Sequence, residues 1–326
     1  MKKVLKENAG VDGMNFEIKL NCNIKDFEEQ ELKNADGFVY GKLQKCSTGI
    51  ELYLNIPSYF NKDNRKPFSL VDAIKLEIVK NDVSNKIARL LGEKADTKLK
   101  SLEINITREV EEDTNMSVLI NLISNSLLYS LNGIKCNKYY CNKKLSNNTN
   151  IQPDGAVCTK AHYYNIKVYN KSKQLFEEKR IMLKENLFRI EIVLLDRELT
   201  KLFGEKLTIT NILNKQALEK AVNRYKEIFN EDIIPSIKYY LNQCVNQIVA
   251  DLSTTDRISS SIIRQKEIIY DVKILRKALK RYYRTLRHDV KESTAKNLVS
   301  YYCNENKCEF QTKILDIIKE FHNITK

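Results

Sequence analysis

The sequence predicts an α+β protein, with an antiparallel sheet in its N-terminal part and helices in the remainder. Strict alternation of apolar and polar residues, typical of a half-buried strand, runs over residues 14–24 and returns over residues 50–56. Strand-like and helix-like segments then alternate up to Gly204, and helical periodicity alone continues after it. We therefore predict an α+β domain over residues 1–204, with helices packed on one face of an antiparallel sheet, followed by an all-helical domain over residues 205–326.

The remaining elements follow in order along the chain. Residues 102–107, 163–170 and 187–195 are predicted strands, and helices are predicted to begin near Ser69 and to span residues 117–131. Residues 132–153 are rich in asparagine, and we predict a long loop or an insertion there. Beyond Gly204, the helices are predicted over residues 210–229, 232–251, 259–288 and 311–321.

The charge of the chain points to a polyanionic partner. The 326 residues carry 55 Lys and Arg against 42 Asp and Glu, a formal net charge of +13. A coding bias that favours Lys, Asn and Ile also raises the net charge, so the distribution of the cations along the chain is the better guide to a polyanionic partner. In the predicted helix over residues 259–288, six cations lie beside one apolar stripe, and we expect them to contact DNA phosphates. They are Lys273, Arg276, Lys277, Lys280, Arg284 and Arg287.

Several other classes lose support. The N-terminal lysines precede no apolar run, and no stretch reaches the roughly 18 apolar residues of a membrane span, so we expect a cytoplasmic protein. We interpret the eight cysteines as reduced thiols or metal ligands. The chain lacks the glycine-rich phosphate loop, the dinucleotide fingerprint and the nucleophile elbow, which argues against an ATPase, a dehydrogenase and an esterase-type hydrolase.

Three predicted strands carry polar functional groups at alternate positions, so each strand places them on one face. If the strands are neighbours, carboxylates for a hard cation, a phenol that could act as a nucleophile and cations for phosphate converge there. These residues are Glu103, Asn105, Asn165, Lys167, Tyr169, Arg189 and Glu191.

The order of these segments carries a family resemblance. LEINIT at 102–107, IKVYNKSKQL at 166–175, LFRIEIVLL at 187–195 and LFGEKLTITNIL at 202–213 together resemble the replication initiation proteins of rolling-circle plasmids and bacteriophages. The resemblance implies a nicking enzyme in which a tyrosine attacks a DNA phosphodiester, helped by Mg²⁺ or Mn²⁺ on an antiparallel sheet. It also implies origin DNA, double- and single-stranded, as the partner, with a host helicase and polymerase as further partners.

The resemblance leads to candidate site residues. Tyr169 is the preferred nucleophile, with Tyr164 and then Tyr163 as alternatives, and Lys167 and Lys171 complete the catalytic set. The metal candidates are Glu103, Glu191 and His162. The sequence departs from the wider superfamily because it has no His-hydrophobe-His motif, and its histidines are His162, His288 and His322.

Three alternatives remain open at this stage. Cys136, Cys141, Cys158 and His162 have a spacing compatible with a structural zinc site, at the loose end of the usual range. The protein could instead be a DNA-binding initiator or regulator that keeps the sheet without the chemistry. The basic charge could also follow codon usage in an interaction protein. The oligomeric state and the recognised DNA sequence are left open.

Overall fold

The computed structural model describes residues 9–19, 27–47, 49–61, 65, 67–68, 73–91, 96–112, 114–146, 151–204, 207–255, 272–286, 297 and 314–325. Within these residues, ten strands form one sheet in the order β2-β3-β4-β1-β5-β10-β9-β8-β6-β7, with every neighbouring pair antiparallel. The strands are β1 Gly10–Lys19, β2 Gln30–Lys33, β3 Val39–Cys46, β4 Gly49–Asn55, β5 Asp96–Val110, β6 Ile134–Tyr140, β7 Lys143–Lys144, β8 Gly155–Lys160, β9 Tyr164–Asn170 and β10 Asn186–Leu195.

Helices follow or connect the strands. They are α1 Ile56–Phe60, α2 Ala73–Leu91, α3 Met116–Ser130, α4 Lys171–Lys179, α5 Asp196–Phe203, α6 Ile209–Ile212, α7 Lys215–Ile228, α8 Ile234–Thr255, α9 Val272–Thr285 and α10 Ile314–Thr325. A π-helical segment, Phe229–Ile233, joins α7 to α8. None of the described helices combines the length and the apolar character needed to cross a bilayer.

The mixed α+β class and the antiparallel sheet are confirmed. The strands predicted from alternation are present as β1, β4, β9 and β10, and residues 102–107 lie inside the longer β5. Their apolar positions form the core on one face of the sheet, as in Phe16 of β1, Ile104 of β5 and Ile192 of β10, which are all fully buried. The polar positions therefore occupy the opposite face.

Asparagine begins many of the helices. The side chains of Asn55, Asn115, Asn170 and Asn214 each accept a hydrogen bond from a backbone N–H in the first turn of the helix that follows. These contacts satisfy N–H groups that have no partner within the helix. The composition that favours asparagine thus supplies local signals that fix where α1, α3, α4 and α7 start.

Most helices pack on the apolar face, including several that follow Gly204. Tyr225 of α7 is fully buried, and its hydroxyl donates to the carbonyl of Ile190 in β10 at 3.1 Å. Phe321 of α10 packs against Phe188 of β10 at 5.9 Å between ring centroids. Gly204 ends α5 with φ +76°, and the described elements after it are all helical, but these helices share the core of the sheet. The division into two domains stays a prediction.

The loop predicted over residues 132–153 is wrong. This segment holds β6 and β7, which extend the sheet beyond β8. The strand β6 lacks the usual alternation because Lys138 is a polar residue at a position that packs on α3. Its ammonium donates to Asn121 and Asn125 of α3 at 2.6 and 2.8 Å.

The strands β6 and β8 separate the four residues of the suggested zinc site. Cys136 and Cys158 face each other across β6 and β8 and are joined by a disulfide, which corrects the expectation of reduced thiols for this pair. Cys141 lies exposed in the turn after β6, and His162 lies at the opposite end of β8. The sequence spacing placed them together because it assumed a loop that folds back on itself.

Candidate functional site

Three carboxylates meet on the polar face of the sheet. Glu103 comes from β5, Glu191 from β10 and Asp12 from β1, and one oxygen of each lies within 4.8 Å of the others. In the register of the sheet, Glu191 lies opposite Asn105 on one side and Lys167 of β9 on the other. Asp12 sits in an irregular part of β1, where the pairing with β5 shifts between Val11 and Met14.

Lys167 joins two of these carboxylates. Its ammonium lies 2.6 Å from Glu191 and 3.1 Å from Glu103. Burial alone would lower the pKa of Lys167, but the charges of Glu191 and Glu103 outweigh it and raise that pKa above its ordinary value. Burial and the charge of Glu191 raise the pKa of Glu103. Burial also acts to raise the pKa of Glu191, but the charge and the hydrogen bond of Lys167 outweigh it, so the pKa of Glu191 is lowered.

The phenol of Tyr169 belongs to the same group. Its hydroxyl donates to Glu191 at 2.9 Å. Burial, followed by the charge of Glu191, raises the pKa of Tyr169 well above its ordinary value. The proton therefore stays on the phenol unless further positive charge enters the site.

Arg189 fixes the position of Asp12. The guanidinium is fully buried, and it donates to Asp12 at 2.7 Å, to Thr107 at 2.6 Å and to the carbonyl of Arg65 at 2.9 Å. Asp12 also accepts from the side chains of Asn55 and Asn105 at 3.0 and 3.1 Å. These donors and the guanidinium hold the buried carboxylate in one place.

Gly13 lets Glu103 approach β1. A Cβ added at this position would lie 2.4 Å from the carboxylate of Glu103 and 2.7 Å from the hydroxyl of Tyr53. The Tyr53 hydroxyl in turn donates to Glu103 at 3.3 Å. Any larger residue would have to displace these two side chains, so glycine allows the strand and the Glu103 carboxylate to lie in close contact.

A cavity of about 380 Å³ opens over this group. Its lining includes the three carboxylates, Lys167, Tyr169, Tyr139 of β6 and Lys171, the first residue of α4. Lys171 is 2% exposed, and its ammonium lies 5.9 Å from the ring centroid of Tyr169. Burial, followed by the charge of Arg189, lowers the pKa of Lys171 to about 7.

The carboxylates fit a hard divalent cation. Mg²⁺ and Mn²⁺ take oxygen ligands, and three carboxylate oxygens from separate strands lie close enough to share one ion. Lys167 and Arg189 leave one net negative charge on the five groups. The Lys167 side chain is 31% exposed, which leaves it room to turn towards solvent if a metal ion were to take its place between the carboxylates.

The structure brings together Glu103, Glu191, Lys167, Tyr169 and Lys171 of the predicted site residues. His162 is not with them, because it lies exposed in the turn between β8 and β9, where its carbonyl accepts from the backbone of Arg197 at 3.2 Å. That turn is level with the far end of β10, beyond the position of Glu191. The prediction of His162 as a ligand beside the two glutamates is corrected on this point.

The alternative nucleophiles are also placed elsewhere. Tyr164 is 1% exposed on the apolar face, where its hydroxyl donates to Asp232 of the π-helical segment. Burial and that hydrogen bond raise its pKa. Tyr163 lies in the turn with its ring near Arg197. Of the three tyrosines, Tyr169 shares the cavity with the carboxylates.

Four of the predicted DNA-binding cations have described side chains on α9. Arg276, Lys277, Lys280 and Arg284 line one shallow groove together with Arg281. The side chain of Lys273 and the whole of Arg287 lie outside the described residues. Leu279 of the predicted apolar stripe is fully buried, whereas Leu286 at its end is 48% exposed.

Sequence reasoning missed Asp12 and Tyr53. The predicted first strand began at Met14, two residues after Asp12, because the glycines of GVDGM break the alternation. The signal that could have found it is an acidic residue between two glycines at the start of a strand, where a bulge can turn a side chain onto the polar face.

Comparisons with known proteins add little to this geometry. No protein-family model and no curated protein match the chain. Among solved structures, it is similar to a rolling circle replication initiator protein from Geobacillus stearothermophilus, with 10% sequence identity and a TM-score of 0.33. The similarity covers 68% of this chain and 84% of that one. At this level of similarity, the function has to be argued from the site itself.

Proposed function

We propose that this protein is a DNA replication initiator that binds origin DNA and cuts one strand, with Tyr169 as the nucleophile and Mg²⁺ or Mn²⁺ held by Asp12, Glu103 and Glu191. A single observation carries the proposal: a phenol and three carboxylates share one cavity on an antiparallel sheet, and the phenol is hydrogen-bonded to one of the carboxylates.

The residues can carry out a strand transfer. The Tyr169 oxygen forms a bond to phosphorus, the bond from phosphorus to the 3′ oxygen breaks, and the 3′ oxygen takes a proton from water and leaves as a hydroxyl, while the 5′ phosphate stays on the tyrosine. Glu191 lies 2.9 Å from the phenol and can accept its proton. When bound, the metal ion would supply positive charge for the phosphate and the attacking oxygen.

Two lysines suit the substrate phosphate. Lys167, which pairs with Glu103 and Glu191, would be available to this phosphate if a metal ion took over the two carboxylates. Lys171 lies beside the Tyr169 ring in the same cavity, where an incoming phosphate would favour its protonated form. The cations of α9 would contact the DNA backbone outside the cavity. In this role the protein would also work with a host helicase and polymerase.

One observation favours a second function, a DNA-binding protein without strand transfer. Lys167 already lies between Glu103 and Glu191, and Arg189 already neutralises Asp12. A lysine in this position can replace a metal ion permanently, which would leave a stable charged network and a phenol that keeps its proton.

Covalent capture distinguishes the two functions. The full chain is incubated with Mn²⁺ and a labelled pool of single-stranded oligonucleotides of random sequence, and a denaturation-resistant adduct is sought on a gel. We expect an adduct that maps to Tyr169 by peptide mass spectrometry and that requires Mn²⁺. Tyr169→Phe should abolish it, and Glu191→Gln should reduce it by about 100-fold or more.

Tyr139→Phe is the matched control, since this phenol lines the same cavity and lies on a different strand. It should leave the adduct in place. Salt-sensitive DNA binding without any adduct would support the second function, and an adduct that survives Tyr169→Phe would refute the assignment of the nucleophile.

A further inference from the structure

Exposed tyrosines cluster at the junction of α3 and α8, on a surface outside the candidate site. Tyr129 of α3 is 60% exposed and Tyr239 of α8 is 50% exposed, with their ring centroids 6.1 Å apart. Tyr240 supports the pair from the core side, with its ring centroid 5.9 Å from that of Tyr129. Large aromatic rings left this open offer their faces to a ligand.

A row of cations continues directly from this cluster. Lys277 of α9 donates to Asn242 of α8 at 2.9 Å, and Arg281 donates to Asn246 at 2.6 Å. From the first contact to the second, the residue number rises by four on both helices, so α8 and α9 run in the same direction. Asn242 lies about one turn from Tyr239 on the same face of α8, which places the first cation of the row beside the tyrosines.

This surface is strongly positive. The groove of about 470 Å³ beside the row is lined by cations. They are Arg276, Lys277, Lys280, Arg281 and Arg284. The sequences of α3, α8 and α9 together contain one acidic residue, Asp251. A polyanion that brings planar groups therefore matches both halves of the surface.

We propose that the surface formed by Tyr129, Tyr239, Lys277, Arg281 and Arg284 is a binding site for single-stranded nucleic acid. The phosphates would follow the cations of α9, and unpaired bases would stack on the exposed tyrosine rings. In a duplex the bases are already stacked inside the helix, so the rings would gain nothing from it. An acidic peptide or an anionic lipid surface would use the cations alone. The proposal does not depend on strand transfer at Tyr169.

Fluorescence anisotropy with the full chain tests this. The probes are a labelled oligothymidylate longer than the roughly 16 nucleotides that such a site occupies at most, the same strand in a duplex, and an oligouridylate, all without divalent metal. We expect Tyr239→Ala to weaken oligothymidylate binding by about 5-fold to 100-fold, from the loss of one stacked base. Duplex binding should change by less than about 2-fold.

The cations should behave differently from the tyrosines. Lys277→Ser with Arg281→Ser should weaken both probes and reduce the salt dependence for single strands by about 1.4 log units per log unit of salt, since each phosphate contact contributes about 0.7. Tyr163→Ala is the matched control, because this tyrosine is 37% exposed in the turn between β8 and β9, outside the surface. It should leave all affinities unchanged.

Four outcomes would overturn the proposal: no binding of single strands, unchanged binding of single strands in Tyr239→Ala, equal losses for single strand and duplex in that variant, or competition by polyglutamate as strong as that by unlabelled oligothymidylate. The last outcome would indicate a surface for acidic proteins. The adduct assay is scored separately on the same variants, so an intact adduct with unchanged binding in Tyr239→Ala sinks this proposal alone.

Discussion

Lys171 should make the free energy of unfolding depend on pH between about 7 and about 10, where an ordinary lysine keeps its proton in both the folded and the unfolded protein. Burial and the Arg189 guanidinium lower the pKa of Lys171 to about 7 in the folded protein, whereas in the unfolded chain it is about 10.4. Between these values the unfolded chain binds a proton that the folded protein lacks. The free energy of unfolding therefore rises with pH across this window and falls as the pH drops towards 7.

The size of the effect follows from the two pKa values. One proton of difference changes the free energy of unfolding by at most about 1.4 kcal/mol per pH unit. From about pH 7.5 to about pH 9.5, the wild type should gain about 2–3 kcal/mol over Lys171→Met, which has no proton to lose at this position. Other titrating groups contribute to both proteins and cancel in the difference.

Urea denaturation at constant ionic strength, followed by circular dichroism, measures this difference. Lys173→Met is the matched control, two residues away on α4. Burial acts to lower the pKa of Lys173, but the hydrogen bond and charge of Asp154 raise it, so this lysine is charged in both states over the window. Its difference from wild type should be flat. A flat difference for Lys171→Met as well would refute the placement of an unprotonated lysine beside Tyr169.

Two further predictions concern the packing of the site. Arg189→Met should lower the free energy of unfolding, measured by chemical denaturation, by about 3–5 kcal/mol because it leaves Asp12 buried without a cation. Adding Asp12→Asn should restore part of this loss, and no recovery in the double variant would contradict the reasoning. Lys319→Met, which breaks an exposed ion pair, is the control and should lose at most about 1 kcal/mol. Gly13→Ala should cost about 1–3 kcal/mol in thermal unfolding and weaken Mn²⁺ binding in calorimetric titration, because its methyl group meets the Glu103 carboxylate. Unchanged Mn²⁺ affinity would exclude Glu103 as a ligand.

Much of the site follows from alternation. Glu103, Lys167, Tyr169 and Glu191 stand at alternate positions of three strands that the pattern identifies, so each had to project from the polar face. The same rule places Tyr164 on the opposite face from Tyr169, five positions later on the strand, although we kept Tyr164 as an alternative nucleophile. Local sequence is sufficient for such facts, since the period of a strand is fixed by its covalent geometry.

The rest depended on contacts between distant residues. The order of the ten strands places β1 beside β5, and no local pattern encodes this pairing. Asp12 reaches the site because β1 is irregular at this position. His162, which we predicted as a ligand, lies away from the site because it stands in the tight turn of the β8–β9 hairpin. The Lys138 contacts with α3 made a strand look like a loop. In each case tertiary packing overrode the local signal.

The pairing of Arg189 with Asp12, which lie 177 positions apart in the sequence, also bears on how the protein is made. The strands β1, β5, β9 and β10 must align before the cavity exists, and sheets with such distant partners fold slowly. A nascent chain that has not yet produced β10 carries Asp12 and Glu103 but lacks Glu191 and the arginine that orients the first acid. The strand transfer proposed for Tyr169 would thereby be confined to molecules whose sheet is complete, and fragments that end before β10 should be inert.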